Sequence, residues 1–318
     1  AACDLAEVIG SAIALNLLFH IPLLVGVCLT AMDVLAILYL QHRGFRYLEI
    51  IVVTLIGTIG LCYLVEILVV KPDLAGVASG LLPSPEIFTN RDMLYIAISI
   101  LGATVMPHNL YLHSSLVQTR AIERTPEGIR TAIRYNFLDC CVALNFAFFI
   151  NAAILIMAAA AFYSHGLRHM AEIQQAYHTL SPLVGAPVAS LLFALALLCS
   201  GQNSTLTGTL AGQVVMEGFL HIRLAPWMRR LLTRMLAIVP AIAVVALYGN
   251  AGTARLLILS QVILSLQLAF AVFPLVALTS DRKKMGKFAN APWLKSLSWS
   301  AGIIIAVLNA YLLVLLLK

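Results

Sequence analysis

GATVMPHNLYLHSS, residues 102–115, lies inside an apolar stretch, 93–117, that is long enough to cross a bilayer. It places a proline, two histidines and an asparagine where polar groups are most costly. Pro107 has no N–H to donate and its ring clashes with the carbonyl four residues back; Gly102 adds backbone freedom five residues earlier. The spacing predicts a helix that breaks here. Carbonyls of residues 102–104 then lose intrahelical partners and become free acceptors, which a membrane tolerates only inside protein or beside a watery cavity. Discontinuous helices of this kind build midplane sites in secondary transporters.

The rest of the chain sets the context. Of 318 residues, 61% are hydrophobic and only 11% charged, where a soluble domain carries about 25% charge; the mean hydropathy is +0.96. Nine windows are long enough to span, at 1–19, 22–40, 47–70, 93–117, 136–163, 183–219, 231–249, 254–279 and 297–317. The chain reads as an all-α polytopic membrane protein with one transmembrane domain over 1–318. The window 183–219 is too long for one straight span, and its polar stretch SGQNSTLTGT, 200–209, predicts a break or a water-facing side. In the loop 71–92 proline and glycine argue against continuous helix, although DLAGVASGLL suits a short one. Thr125-Pro126-Glu127 marks a helix start.

The net charge of +6 is distributed as a topology signal, not as a nucleic-acid footprint. Fifteen of the twenty basic residues fall in alternate loops: Arg43 and Arg46; Arg120, Arg124, Arg130 and Arg134; Arg223, Arg229, Arg230 and Arg234; and Arg282, Lys283, Lys284, Lys287 and Lys295. The positive-inside rule puts those loops in the cytoplasm and the C-terminus outside. The six cysteines are scattered, with no C-x-x-C spacing, so neither a disulfide framework nor a zinc site is indicated.

Several intramembrane polar residues carry chemistry. Met106 stands at the break beside the freed carbonyls; its thioether is either a space-filler or a soft ligand that favours transition metals over magnesium and calcium. His108 and His113 are five residues apart, about 140° around a helix, so they lie on different faces as two titratable groups. Asp4 and Glu7, three apart, share one helical face, and carboxylates within a span are functional candidates. Arg229 and Arg230 either anchor a helix at the cytoplasmic side or reach inward to those carboxylates. Gln261 offers an amide oxygen, to a cation or to a neighbouring helix.

Ala103-Thr-Val-Met106-Pro-His108 followed by Tyr111-Leu-His113-Ser resembles the sixth-helix signature of the Nramp (natural resistance-associated macrophage protein) divalent metal transporters. DLAEVIGSAIALNLLF resembles their third helix, SGQNSTLTGTLAGQVVMEGFL the eighth, PWMRRLLTR the start of the ninth and LSQVILSLQLAFAVFPL the tenth. The resemblance implies an inverted-repeat, five-plus-five fold, with these nine spans as helices three to eleven, and a proton-coupled importer of Mn2+ or Fe2+ in a cell membrane, that of a bacterial inner membrane. It makes Met106 a sulfur ligand, the Ala103 carbonyl a backbone ligand and Gln261 an oxygen ligand. It assigns Asp4, Glu7, His108, His113, Arg229 and Arg230 to proton transfer. The partners are metal ions, protons and the bilayer; the ion is cargo, so no cofactor is expected, nor enzymatic activity, and the chain reads as a monomer. The family's first-helix Asp-Pro-Gly-Asn motif does not occur here. The resemblance therefore implies an N-terminally truncated sequence that inserts but does not transport by itself. The competing readings are an amino-acid carrier of the same architecture, which Met106 argues against, an intramembrane metallohydrolase, which lacks an H-E-x-x-H motif, and a non-transporting fragment.

Overall fold

The computed structural model describes residues 2–32, 45–82, 84–167, 173–218 and 226–317. All regular structure among the described residues is helical: α1 Ala2–Phe19, α2 Leu23–Leu29, α3 Phe45–Val70, α4 Leu74–Gly80, α5 Glu86–Thr89, α6 Arg91–Thr104, α7 Pro107–Gln118, α8 Pro126–Ala161, α9 Ile173–Val184, α10 Val188–Gly218, α11 Pro226–Thr279, α12 Arg282–Met285 and α13 Pro292–Leu317. Seven described helical stretches are long and apolar enough to cross a membrane. They match seven of the nine expected windows. The window 231–249 is represented by a shorter apolar helix, Met235–Leu247, which Gly249, at φ 60° and ψ −148°, separates from the rest of α11. Of the window 22–40, residues 22–32 are described and contain α2 and a short 3-10 turn, Thr30–Met32; residues 33–40 lie outside the described set.

Local chemistry sets the boundaries. Asp73 caps α4 by accepting from the Ala75 and Gly76 amides, so the short helix within 71–92 forms as expected. Thr125 caps α8 by accepting from the Gly128 amide, with Pro126 at the first helical position. The helix therefore starts ten residues before the apolar window that predicted it, and Arg130 and Arg134 ride on its first turns instead of in a loop. Of the two readings of 200–209, a break or a water-facing side, the break does not occur: α10 runs unbroken from Val188 to Gly218. Thr207 returns its hydroxyl to the Asn203 and Ser204 carbonyls, and the glycines of this stretch face α1. The polar residues serve helix packing, not helix interruption.

The chain divides into two compact units. In the first, Cys3–Leu82 with Leu112–Ala254, α3 packs on α10 and α8 around Ile59, Cys62, Tyr63, Met157, Leu180, Ala196 and Cys199. In the second, Pro83–Tyr111 with Arg255–Lys318, the core is Leu94 and Ile98 of α6, Val262 of α11 and Leu312 of α13. Lipid tails are as apolar as these side chains, so association rests on close packing and interhelical hydrogen bonds. Asn309 of α13 supplies one such bond, donating to the Ser265 carbonyl of α11 at 3.2 Å.

Candidate functional site

The break in the sixth-helix signature is present. α6 ends at Thr104, Val105 leaves helical geometry at φ −112° and ψ 85°, and α7 begins at Pro107. The Ala103 carbonyl would bond the amide of residue 107 in a continuous helix; proline has none, so that acceptor is released. Met106 sits half-buried at the break and Ala103 is exposed.

Within the same unit, the end of α6 lies against α11 at one residue. A Cβ added to Gly102 would stand 2.0 Å from the Gln261 carbonyl oxygen and 2.8 Å from the Ser265 amide nitrogen. Only glycine allows this approach. The Gln261 side chain is tied to its neighbour: Nε2 donates to Ser260 Oγ at 3.0 Å, which leaves Oε1 as the acceptor. That oxygen is buried with no hydrogen-bond partner among the described residues, as is Ser265 Oγ one turn on. An orphaned buried acceptor is costly unless something occupies it. Gly102 therefore brings the end of the broken helix against the backbone of the turn that bears Gln261. A carbonyl, a thioether and an amide oxygen are neutral donors, and donors of that kind select cations by softness and geometry more than by charge.

In the first unit, Asp4 and Glu7 share one face of α1, as their spacing predicts. Both carboxylates point at the same spot on α10: a Cβ on Gly208 would lie 2.7 Å from Glu7 Oε1 and 3.3 Å from Asp4 Oδ1. The Cys3 thiol donates to Glu7 Oε1 at 3.1 Å. His108 and His113 are both half-buried on α7, and His113 Nε2 lies 3.4 Å from Cys140 Sγ of α8. Arg120 pairs with Asp139 at 3.1 Å, both about half exposed. The side chains of Arg229 and Arg230 lie outside the described residues. A cavity of about 970 Å³ between the end of α7 and the start of α8 is lined by Arg120, Glu123, Glu127, Asn136 and Asp139; Ala103, Met106 and Gln261 are not among its lining residues. Sequence reasoning passed over Cys3, Gly208 and Glu66. Glu66 is buried in α3, with neither carboxylate oxygen hydrogen-bonded among the described residues.

The family model described as natural resistance-associated macrophage protein-like (Nramp) matches residues 1–315. A divalent metal cation transporter, MntH, of Listeria innocua is 63% identical over 312 residues, covering 98% of this chain and 70% of the relative. The protein of the same description from a Nostoc species is 59% identical over 313 residues, covering 98% and 71%. Among solved structures, the manganese transporter of Eremococcus coleocola superposes with a TM-score of 0.86 at 39% identity, over 97% of this chain and 67% of that one. The chain belongs to the Nramp family and has its all-α, inverted-repeat transporter fold.

Proposed function

We propose that this chain imports a divalent transition-metal ion, Mn2+ or Fe2+, by coupling its entry to protons, from a multi-pass position in the cell membrane with the C-terminus outside. One observation carries the reading: the helix broken at Val105–Met106 is pressed through Gly102 onto the turn of α11 that bears Gln261. Ala103 contributes its carbonyl, Met106 its sulfur and Gln261 its amide oxygen to the ion. The carbonyl and amide replace hydration oxygens, and the sulfur favours a soft or borderline ion over Ca2+ or Mg2+. Support for the metal comes from relatives described as divalent metal cation transporters and from the manganese transporter that shares the fold.

Proton transfer falls to groups that titrate within the membrane. Asp4 and Glu7 converge on one point of α10, and two carboxylates that close share protons more readily than either releases one alone. His108 and His113 give α7 two further exchangeable sites on separate faces, with Arg229 and Arg230 completing the path at the cytoplasmic side. The protein works as a monomer without a resident cofactor.

The experiment is uptake into proteoliposomes of the protein expressed from its complete reading frame. Saturable Mn2+ uptake that accelerates with an inward proton gradient is expected, with Ca2+ a poor competitor. Uptake of Ca2+ and Mn2+ at equal rates would remove the ligand reading; Mn2+ uptake indifferent to the proton gradient would remove the coupling.

A further inference from the structure

We infer that Gly208 of α10 is a positioning residue for proton coupling: it forms a notch in which the carboxylates of Asp4 and Glu7 seat, and so fixes the geometry of the pair. The inference rests on the proton role proposed above for Glu7. It begins from helix packing. A Cβ at Gly208 would meet Glu7 Oε1 at 2.7 Å, Glu7 Oε2 at 3.1 Å and Asp4 Oδ1 at 3.3 Å. Three carboxylate oxygens from two residues therefore occupy the volume that any other residue's side chain would fill. The Cys3 thiol closes the notch from α1 by donating to Glu7 Oε1. Glu7 is buried, 6% exposed, so its surroundings and not bulk water determine the balance between its two protonation states.

Titratable groups near this carboxylate among the described residues can be named. From α1 they are Cys3 and Asp4. The titratable residues of α10, Cys199 and Glu217, lie nine positions to either side of Gly208, about 13 Å along the axis at 1.5 Å per residue. Cys28 of α2 is exposed, and the side chains of Arg229 and Arg230 on α11 are outside the described set. The absence of a side chain at Gly208 is what lets the pair approach α10 at this point.

The same helix contains its own control. Seven residues earlier, Gly201 receives Ser11: a Cβ there would lie 2.2 Å from Ser11 Oγ. Gly201→Ala strains the same pair of helices two turns away without reaching a carboxylate. The neighbours of Gly208 are the far ends of side chains, not backbone, so an added methyl group moves the carboxylates and leaves the helices in place.

The test measures the pH dependence of Mn2+ uptake in proteoliposomes of the complete protein, for the parent, Gly208→Ala, Gly201→Ala, Glu7→Gln and the pair Gly208→Ala with Glu7→Asp. Gly208→Ala should displace the midpoint of the pH profile by about half a unit or more while the KM for Mn2+ stays within about twofold. Gly201→Ala should keep the parent midpoint. Shortening Glu7 by one methylene in the double variant should recover half or more of the displacement. If Glu7→Gln leaves the profile unchanged, the proton role of Glu7 fails and the inference with it. If Glu7→Gln alters the profile but Gly208→Ala matches the parent, or Gly201→Ala shifts it equally, the notch is overturned and the proton role stands. Should Gly208→Ala not fold, recovery of folded protein by Glu7→Asp supports the notch, and no recovery overturns it.

Discussion

Replacing Gly102 by alanine is the smallest change that bears on how the broken helix meets its neighbour. The added Cβ would stand 2.0 Å from the Gln261 carbonyl oxygen, 2.8 Å from the Ser265 amide nitrogen and 3.0 Å from the Gln261 carbonyl carbon. These are backbone atoms of a helix interior, so no rotamer change relieves the clash. The end of α6 must retreat by about 1 Å to reach even a close contact, and overpacking of this kind costs about 1–3 kcal/mol. That exceeds the ~0.5–1 kcal/mol by which alanine ordinarily improves on glycine within a helix. The retreat also carries the adjacent Ala103 carbonyl with it. Metal–ligand distances hold within about ±0.2 Å, so a shift of about 1 Å takes this donor out of the site. Gly57 of α3, where an added Cβ meets nothing within 4 Å, is the matched control. Gly102→Ala should lower the thermal midpoint of the purified protein in detergent and raise the KM for Mn2+ uptake by at least about tenfold. Gly57→Ala should do neither. Parent values of both midpoint and KM in Gly102→Ala would refute the close approach and the role built on it.

Three other changes probe separate parts of the account. Met106→Ala should let Ca2+ or Mg2+ compete better against Mn2+ in uptake assays while some Mn2+ transport remains, because a soft ligand acts selectively; continued exclusion of Ca2+ would show that the thioether is not the discriminator. Asp4→Asn should weaken the dependence of transport on pH, and an unchanged profile with measurable uptake would take Asp4 off the proton path. Thr125→Ala removes the side chain that caps α8 and should cost about 1 kcal/mol of stability, read as a lower unfolding midpoint with metal preference unaltered; a change in metal preference would contradict its purely structural place.

Much of this architecture is visible in the sequence because a bilayer imposes simple rules. Apolar length marks most spans, and Pro107 marks the break, since no local rearrangement returns its missing N–H. The errors are equally physical. Hydropathy ends a window at the first cluster of charge, but a helix ends where its caps are, so α8 starts at Pro126 and carries its arginines out of the apolar window. The polar run 200–209 resembles a break only if polarity is taken to interrupt helices; here glycine and hydroxyl residues let α10 approach α1. What the sequence does not display is contact. Gly102 attracts notice as a source of flexibility, yet its importance is the absence of a side chain opposite Gln261. Gly208 gives no local signal at all, because its meaning depends on two carboxylates some 200 residues earlier. The Gln261 amide is recognisable as a polar group in a span, but only its bond to Ser260 shows which end is left to act as an acceptor.

Proton movement driven by metal tests the central claim most directly. Proteoliposomes of the protein expressed from its complete reading frame, loaded with a pH-sensitive dye and starting without a pH gradient, receive Mn2+ from outside at a fixed inside-negative potential. The account predicts that the lumen acidifies as Mn2+ enters, that Ca2+ at the same concentration produces neither signal, and that Asp4→Asn or Glu7→Gln reduces the acidification per ion taken up. Mn2+ entry with no accompanying acidification, or equal entry of Ca2+ through the parent protein, would contradict it.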